Sequence, residues 1–158
     1  MVKVLFVCLG NICRSPMAEA VFRHLVKQEG LEGKIKVDSA GTGSWHVGKP
    51  PHHGTQTVLM KKQIDFDGIK ARQVTKEDLQ QFDYIIAMDS DNLANLRRLA
   101  GEHSTGVIAR LLDFVPEHDL EDVPDPYFTG NFDEVYELIE KGCRNLLETI
   151  KKDHSLTS

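Results

Sequence analysis

No apolar run in this 158-residue chain reaches the roughly 18 to 20 residues that cross a bilayer, so no membrane partner is expected. The apolar start, Met1 to Cys8, is too short for a secretion signal and places no small residues ahead of Cys8 for cleavage. Cysteine is scarce. Cys8, Cys13 and Cys143 make an odd set of three, which argues against a disulfide framework and for a reducing compartment, with cytoplasmic localisation the default. Positive charge is not in excess: 19 Lys and Arg against 24 Asp and Glu give a net charge of -5, which argues against general nucleic-acid binding. The seven histidines show no ligand spacing, so no metal is expected; the adjacent His52 and His53 read as a surface turn. No repeat, low-complexity tract or linker divides the chain, so residues 1–158 read as one domain with one solid core.

What is present alternates in period. Val2 to Val7 is an apolar run of strand length, and Lys34 to Asp38 alternates Ile35 and Val37 with polar residues. Tyr84 to Met88 and Val107 to Leu112 complete the expected strands. Between them, Met17, Ala20, Val21, Leu25 and Val26 recur at helical spacing and stop near Gly30. Thr55 to Gln63 reads as a helix with Val58 and Leu59 inward, and Thr75 to Asp78 resembles a capping box. Asp89 opens a helix marked by Leu93, Leu96 and Leu99. Phe132 to Ile150 carries a long amphipathic stripe that includes Cys143. Ser39 to Gly54 reads as a long loop and His118 to Gly130 as an acidic one with prolines. Strands alternating with helices predict an α/β fold, a doubly wound parallel sheet with helices on both faces. Ligands in such folds sit beyond the carboxyl ends of the strands.

One such end carries Cys8-Leu9-Gly10-Asn11-Ile12-Cys13-Arg14-Ser15-Pro16. Ser15 as N-cap and Pro16 at the first helical position would start a helix there, so the loop after the first strand runs into a helix N-terminus. Free N–H groups and the positive dipole end make such a junction an anion site. The five residues between Cys8 and Arg14 can curl so that the amides of Leu9, Gly10, Asn11, Ile12 and Cys13 face one centre, with Gly10 relaxing the φ limits. Arg14 adds a planar fork that Lys cannot copy. The same field favours a Cys8 thiolate, to which Ser15 could donate its hydroxyl. Asn11 tolerates a left-handed turn and could brace the loop. The nucleotide-binding pattern of two glycines four residues apart followed by Lys is absent.

The run from Cys8 to Pro16 resembles the signature of the low-molecular-weight protein tyrosine phosphatases. Asp38-Ser39-Ala40-Gly41-Thr42, Ala71-Arg72-Gln73-Val74, Asp83-Tyr84-Ile85 with Met88-Asp89, and Val123-Pro124-Asp125-Pro126-Tyr127 follow in that family's order and spacing. The resemblance implies a four-stranded parallel sheet, Cys8 as nucleophile, Arg14 as phosphate binder and Asp125 as general acid. It also implies loop support from Asn11, Ser15 and Ser39, and aryl phosphate or phosphotyrosine substrates hydrolysed without a cofactor, with inorganic phosphate as product. Ile69 departs from the pattern, because many relatives carry a histidine there.

The residues speak for Asp125 independently. Pro124 restricts the backbone before it, and Pro126 biases Asp125 itself toward an extended conformation. A general acid must be protonated, and the neighbouring acids from Glu117 to Asp122 would raise its pKa. Trp45, Tyr127 and Phe128 read as pocket walls whose faces suit a phenyl ring. Cys13 has two readings, an inert loop thiol or a partner for Cys8 in a transient disulfide under oxidant. Two rivals remain in view. A thioredoxin-coupled arsenate reductase would need two further redox cysteines in a later segment; between Arg14 and Gly142 the sequence has none, and Cys143 alone cannot supply the pair. A non-catalytic phosphotyrosine-binding module would be expected to lack Cys8, Arg14 or Asp125.

Overall fold

The structure is a computed structural model that describes residues 1–101, 106–116 and 120–156. Four strands, β1 (Val2–Cys8), β2 (Ile35–Gly41), β3 (Tyr84–Ala87) and β4 (Val107–Arg110), form one parallel sheet in the order β2-β1-β3-β4. The chain moves from β1 to one neighbour and then crosses to the other, so the strand order reverses at β1. A crevice therefore opens at its carboxyl end, where Cys8 ends the strand.

The described residues form six helices around the sheet: α1 (Arg14–Gln28), α2 (His53–Lys61), α3 (Asp78–Gln81), α4 (Ser90–Ala100), α5 (Pro126–Thr129) and α6 (Phe132–Asp153). The two faces are divided by the alternation of β1. Val2, Val4 and Phe6 join Met17, Val21 and Phe22 of α1 and Val135, Ile139, Leu146 and Ile150 of α6 in one core. Leu5 and Val7 join Leu79, Leu93 and Leu96 of α3 and α4 in the other. Cys143 is fully buried in the α6 stripe, and burial pushes its thiol up in pKa, so it is a packing residue.

Several expected boundaries shift. β2 runs on through Ser39, Ala40 and Gly41, which pair with Phe6, Val7 and Cys8. Ladder pairing outweighs the Gly and Ser composition that suggested a loop. The long loop therefore spans residues 42–52. β4 stops at Arg110 and tightens into a 3₁₀ turn, Leu111–Phe114. Ser15 does not cap α1; Cys13 holds the N-cap position without a side-chain bond, and Ser15 lies inside the first turn. Pro16 is tolerated there because the first helical N–H groups lack intrahelical acceptors. The Thr75–Asp78 reciprocal pair does form, Thr75 N–H donating to Asp78 Oδ2 and Asp78 N–H to Thr75 Oγ1. It precedes a helix of one turn. Asp89 caps α4, its side chain accepting from Asn92 N–H.

Gly41 carries the junction between sheet and loop. A Cβ there would lie 2.9 Å from the Leu9 carbonyl oxygen and 3.0 Å from the Gly10 carbonyl carbon, both backbone atoms that have no freedom to withdraw. Gly41→Ala is expected to destabilise the fold by about 1–3 kcal/mol through overpacking. Urea denaturation with an unchanged midpoint would show that the contact is not limiting.

Candidate active site

Every carbonyl at the ends of the first loop is taken by a segment outside it. Thr42 N–H donates to Cys8 O and Gly43 N–H to Leu9 O, both at 2.9 Å. His52 N–H donates to Ile12 O at 2.7 Å, and Thr55 Oγ1 to Cys13 O at 3.1 Å. No backbone N–H of residues 10–15 donates to another described group. The loop therefore turns its carbonyls outward and leaves its amides for the centre, which is what an anion site at a helix start requires. Asn11 takes the left-handed conformation expected of it, with φ at 56°. Gly10 does not; its bareness instead makes room for His46, whose Cδ2 would lie 3.0 Å from a Cβ there.

Asn11 is the brace. Its Nδ2 donates to Ser15 Oγ at 2.8 Å and Ser39 Oγ at 3.0 Å, while its Oδ1 accepts from Arg72 N–H at 2.9 Å. The backbone of residue 72 thus supplies the bracing donor, and Ile69, 5% exposed, is an ordinary core residue. Cys8 Sγ lies 2.9 Å from Ser15 Oγ.

Arg14 is almost wholly buried. Its Nη1 donates to Asp89 Oδ2 at 2.7 Å and to the Val123 carbonyl at 2.9 Å, and its Nη2 lies 3.5 Å from Asp125 Oδ2. Burial opposes its charge, yet the Cys8 sulfur, the bond to Asp89 and the Asp125 carboxylate hold it above the usual guanidinium range. Its buried Nε has no partner among the described residues. A buried guanidinium N–H without an acceptor, beside a loop of free amides, is a donor left for an anionic ligand.

Asp125 is extended, as Pro126 predicts, and its Oδ1 accepts from Tyr127 N–H, capping α5. Its loop is fastened from behind. Val123 N–H donates to Met88 O, Asp122 accepts from Ser90, and Arg110 binds Ser90, Asp113 and Glu121. Asp122 and Glu121 are thus engaged away from Asp125. Glu117 and Asp119 lie outside the described residues.

A cavity of about 180 Å³ opens above Cys8 and Arg14. Trp45, Tyr127 and Phe128 line it, 68%, 53% and 76% exposed, which excludes a core-packing role. His46, not singled out from the sequence, lines it too and sits 6.3 Å from the Tyr127 ring. His52 is not the expected surface residue; it caps α2 and stacks on Phe132 at 5.1 Å, while His53 is exposed. Burial, Cys8 and Asp125 push the Cys13 thiol up to about 12, against the pull of Arg14. All three cysteines are free. Among the described residues, no cluster of three or more His, Cys, Asp or Glu could hold a metal ion.

A loop with carbonyls out and amides in, closing over a sulfur on a doubly wound sheet, defines the class of cysteine-based phosphatases. Residues 3–156 match a family model described as low molecular weight phosphotyrosine protein phosphatase, and the chain belongs to that family. It is 62% identical over 156 residues to the low molecular weight protein-tyrosine-phosphatase YfkJ of Bacillus subtilis, covering 99% of this chain and 100% of that one. The crystal structure of YfkJ superposes with a TM-score of 0.94, covering 97% of this chain and 96% of that one. A protein tyrosine phosphatase structure from Entamoeba histolytica, 38% identical, gives a TM-score of 0.89 over 96% of this chain and 97% of that one.

The residue 71–74 segment that meets Asn11 is itself held by charge. Arg72 pairs with Asp78 at 2.9 Å and Asp38 at 3.1 Å. Burial raises the Asp78 pKa, but the Arg72 and Thr75 bonds outweigh it and hold it below 3.8. A depressed carboxyl contributes stability that is complete above its ordinary pKa and is lost as pH falls through the depressed value. The wild-type melting temperature should therefore fall more steeply below about pH 4 than that of Asp78→Asn. Parallel curves for the two proteins would count against the pair.

Proposed function

We propose that residues 1–158 form a single phosphatase domain that hydrolyses phosphotyrosine in proteins, and other aryl phosphates, through a phosphocysteine intermediate. The observation that carries the reading is the meeting of two distant segments, the first loop with Cys8 and Arg14 and the segment that carries Asp125. Cys8 Sγ lies against Ser15 Oγ, and Arg14, next to it in the loop, reaches Asp125 from the far end of the chain. In this reading the amides of residues 9–15 and the Arg14 fork hold the phosphoryl oxygens and the charge of a loose transition state.

The reaction takes two steps. Cys8 thiolate attacks phosphorus; the P–O bond to the phenol breaks, and Asp125 gives its proton to the departing oxygen. Asp125, now a carboxylate, takes a proton from water as that water attacks the phosphocysteine. The S–P bond breaks, phosphate leaves and the thiolate is restored. Asn11, Ser15 and Ser39 support the loop, and the exposed faces of Trp45, Tyr127 and Phe128 sandwich the phenyl ring. A pocket with aromatic walls favours phosphotyrosine over the shorter phosphoserine. Tyrosine-phosphorylated proteins are the partners in this reading, with neither nucleic acid nor membrane among them. Three free cysteines support a cytoplasmic setting, and among the described residues no helix is long and apolar enough to cross a membrane.

Cys8→Ser should abolish turnover of para-nitrophenyl phosphate while leaving phosphate binding largely intact; near wild-type turnover would remove Cys8 as nucleophile. Asp125→Ala should slow esters of poor leaving groups far more than those of good ones, because only the former need a proton. An equal loss for both would deny it the acid role.

A further inference from the structure

Glu19 is a carboxyl in the wrong place for a surface acid. It lies on α1 one turn after Ser15 and is 8% exposed. Ser39 Oγ donates to its Oε1 at 2.6 Å. That bond ends a chain that leads to Cys8, and donor counting fixes the direction of its protons as far as Ser15. Arg72 N–H donates to Asn11 Oδ1, so both Nδ2 hydrogens of Asn11 point the other way, one to Ser15 Oγ and one to Ser39 Oγ. Each serine hydroxyl therefore accepts from Asn11 and has one proton left to give. Ser39 gives it to Glu19. Ser15 gives it either to Cys8 Sγ at 2.9 Å or to the Ala40 carbonyl at the longer 3.4 Å.

We propose that Glu19 is a positioning residue for the nucleophile, acting through Ser39 and Asn11 to aim the Ser15 hydroxyl proton at Cys8 Sγ. The proposal rests on the phosphatase reading only in that Cys8 is the group being served. An acceptor at Glu19 fixes the Ser39 proton, which leaves the Ser39 oxygen facing Asn11. Asn11 is then held from three sides, and the loop keeps its left-handed turn. An ionised acceptor strengthens the bond and polarises the chain behind it. Burial raises the Glu19 pKa; the Ser39 bond lowers it, Asp38 on β2 raises it, and Arg23 on α1 and Arg72 lower it, with a result of about 7. The grip on the loop therefore tightens as pH rises through neutrality. Stability moves the opposite way. A carboxyl whose pKa is raised in the fold contributes stability that is complete below its ordinary value of 4.5 and is lost as pH rises through about 7.

The test reads the Cys8 thiolate without substrate. Alkylation of Cys8 by iodoacetamide is followed by mass spectrometry from about pH 5 to 8, a range that brackets the Glu19 transition. Glu19→Ala is expected to slow alkylation about tenfold at pH 6, because the sulfur loses its directed donor. Glu19→Gln, which keeps an acceptor for Ser39, should recover most of that rate yet lose the inflection near neutrality. Its melting temperature should also fall less than that of wild type between those pH limits. An alanine variant with the wild-type profile overturns the proposal. If Glu19→Ala does not fold, Ser39→Ala carries the same expectation, since it keeps the acid and cuts the link; a wild-type profile there overturns the proposal equally. A wild-type protein that alkylates as expected but turns over no phosphate ester would count against the phosphatase reading instead.

Discussion

The buried guanidinium of Arg14 is the constraint from which the rest of the site follows. A cation taken out of water must be paired and hydrogen-bonded, or the fold bears the full desolvation cost. Here the partners come from two separate parts of the chain. Asp89 stands where β3 ends, the Val123 carbonyl belongs to the acid loop, and Asp125 lies two residues further on. Satisfying one charge thus draws the first loop, the end of β3 and the acid loop to one point. Among the described residues the pairing is left incomplete at Nε, which a closed structural ion pair would not leave.

Around this point the loop is held by its own carbonyls. Four of them bond to residues 42, 43, 52 and 55, so the segment between β2 and α2, with the first turn of α2, acts as the loop's outer wall. The close approach at Gly41 lets β2 reach the loop, and the Asn11 amide locks it from within. The aromatic rim is different in kind. Trp45, Tyr127 and Phe128 stay exposed, and much of their apolar surface is left open. Exposed aromatics beside a buried anion site match a ligand that is flat and apolar at one end and charged at the other.

Legibility varied with how local the determining physics was. The four strands and the long final helix were readable because period and burial coincide in Val2 to Val7 and in Phe132 to Ile150. The extended backbone of Asp125 was readable because Pro126 restricts it locally. The end of β2 was not, because Ser39, Ala40 and Gly41 become strand only by pairing with β1. Ser15 was misplaced as a cap for a related reason. Its type suits an N-cap, but its hydroxyl is recruited by Cys8 and Asn11 across the loop. His46 and Glu19 left no local signal at all. A single histidine in a loop and a single acid in a helix are ordinary, and only the neighbours that fold against them give them a role.

By itself, the sequence determined the alternation of elements, the parallel sheet that alternation demands, and the chemical types gathered after the first strand. Those depend on period, φ restriction and the spacing of a few residues, all of which act within a dozen positions. The tertiary structure decided which donors and acceptors meet: Arg14 with Asp89, Asn11 with Arg72, Ser39 with Glu19. Hydrogen bonds act over about 3 Å, and the chain brings such groups that close only after two cores have packed on either side of the sheet.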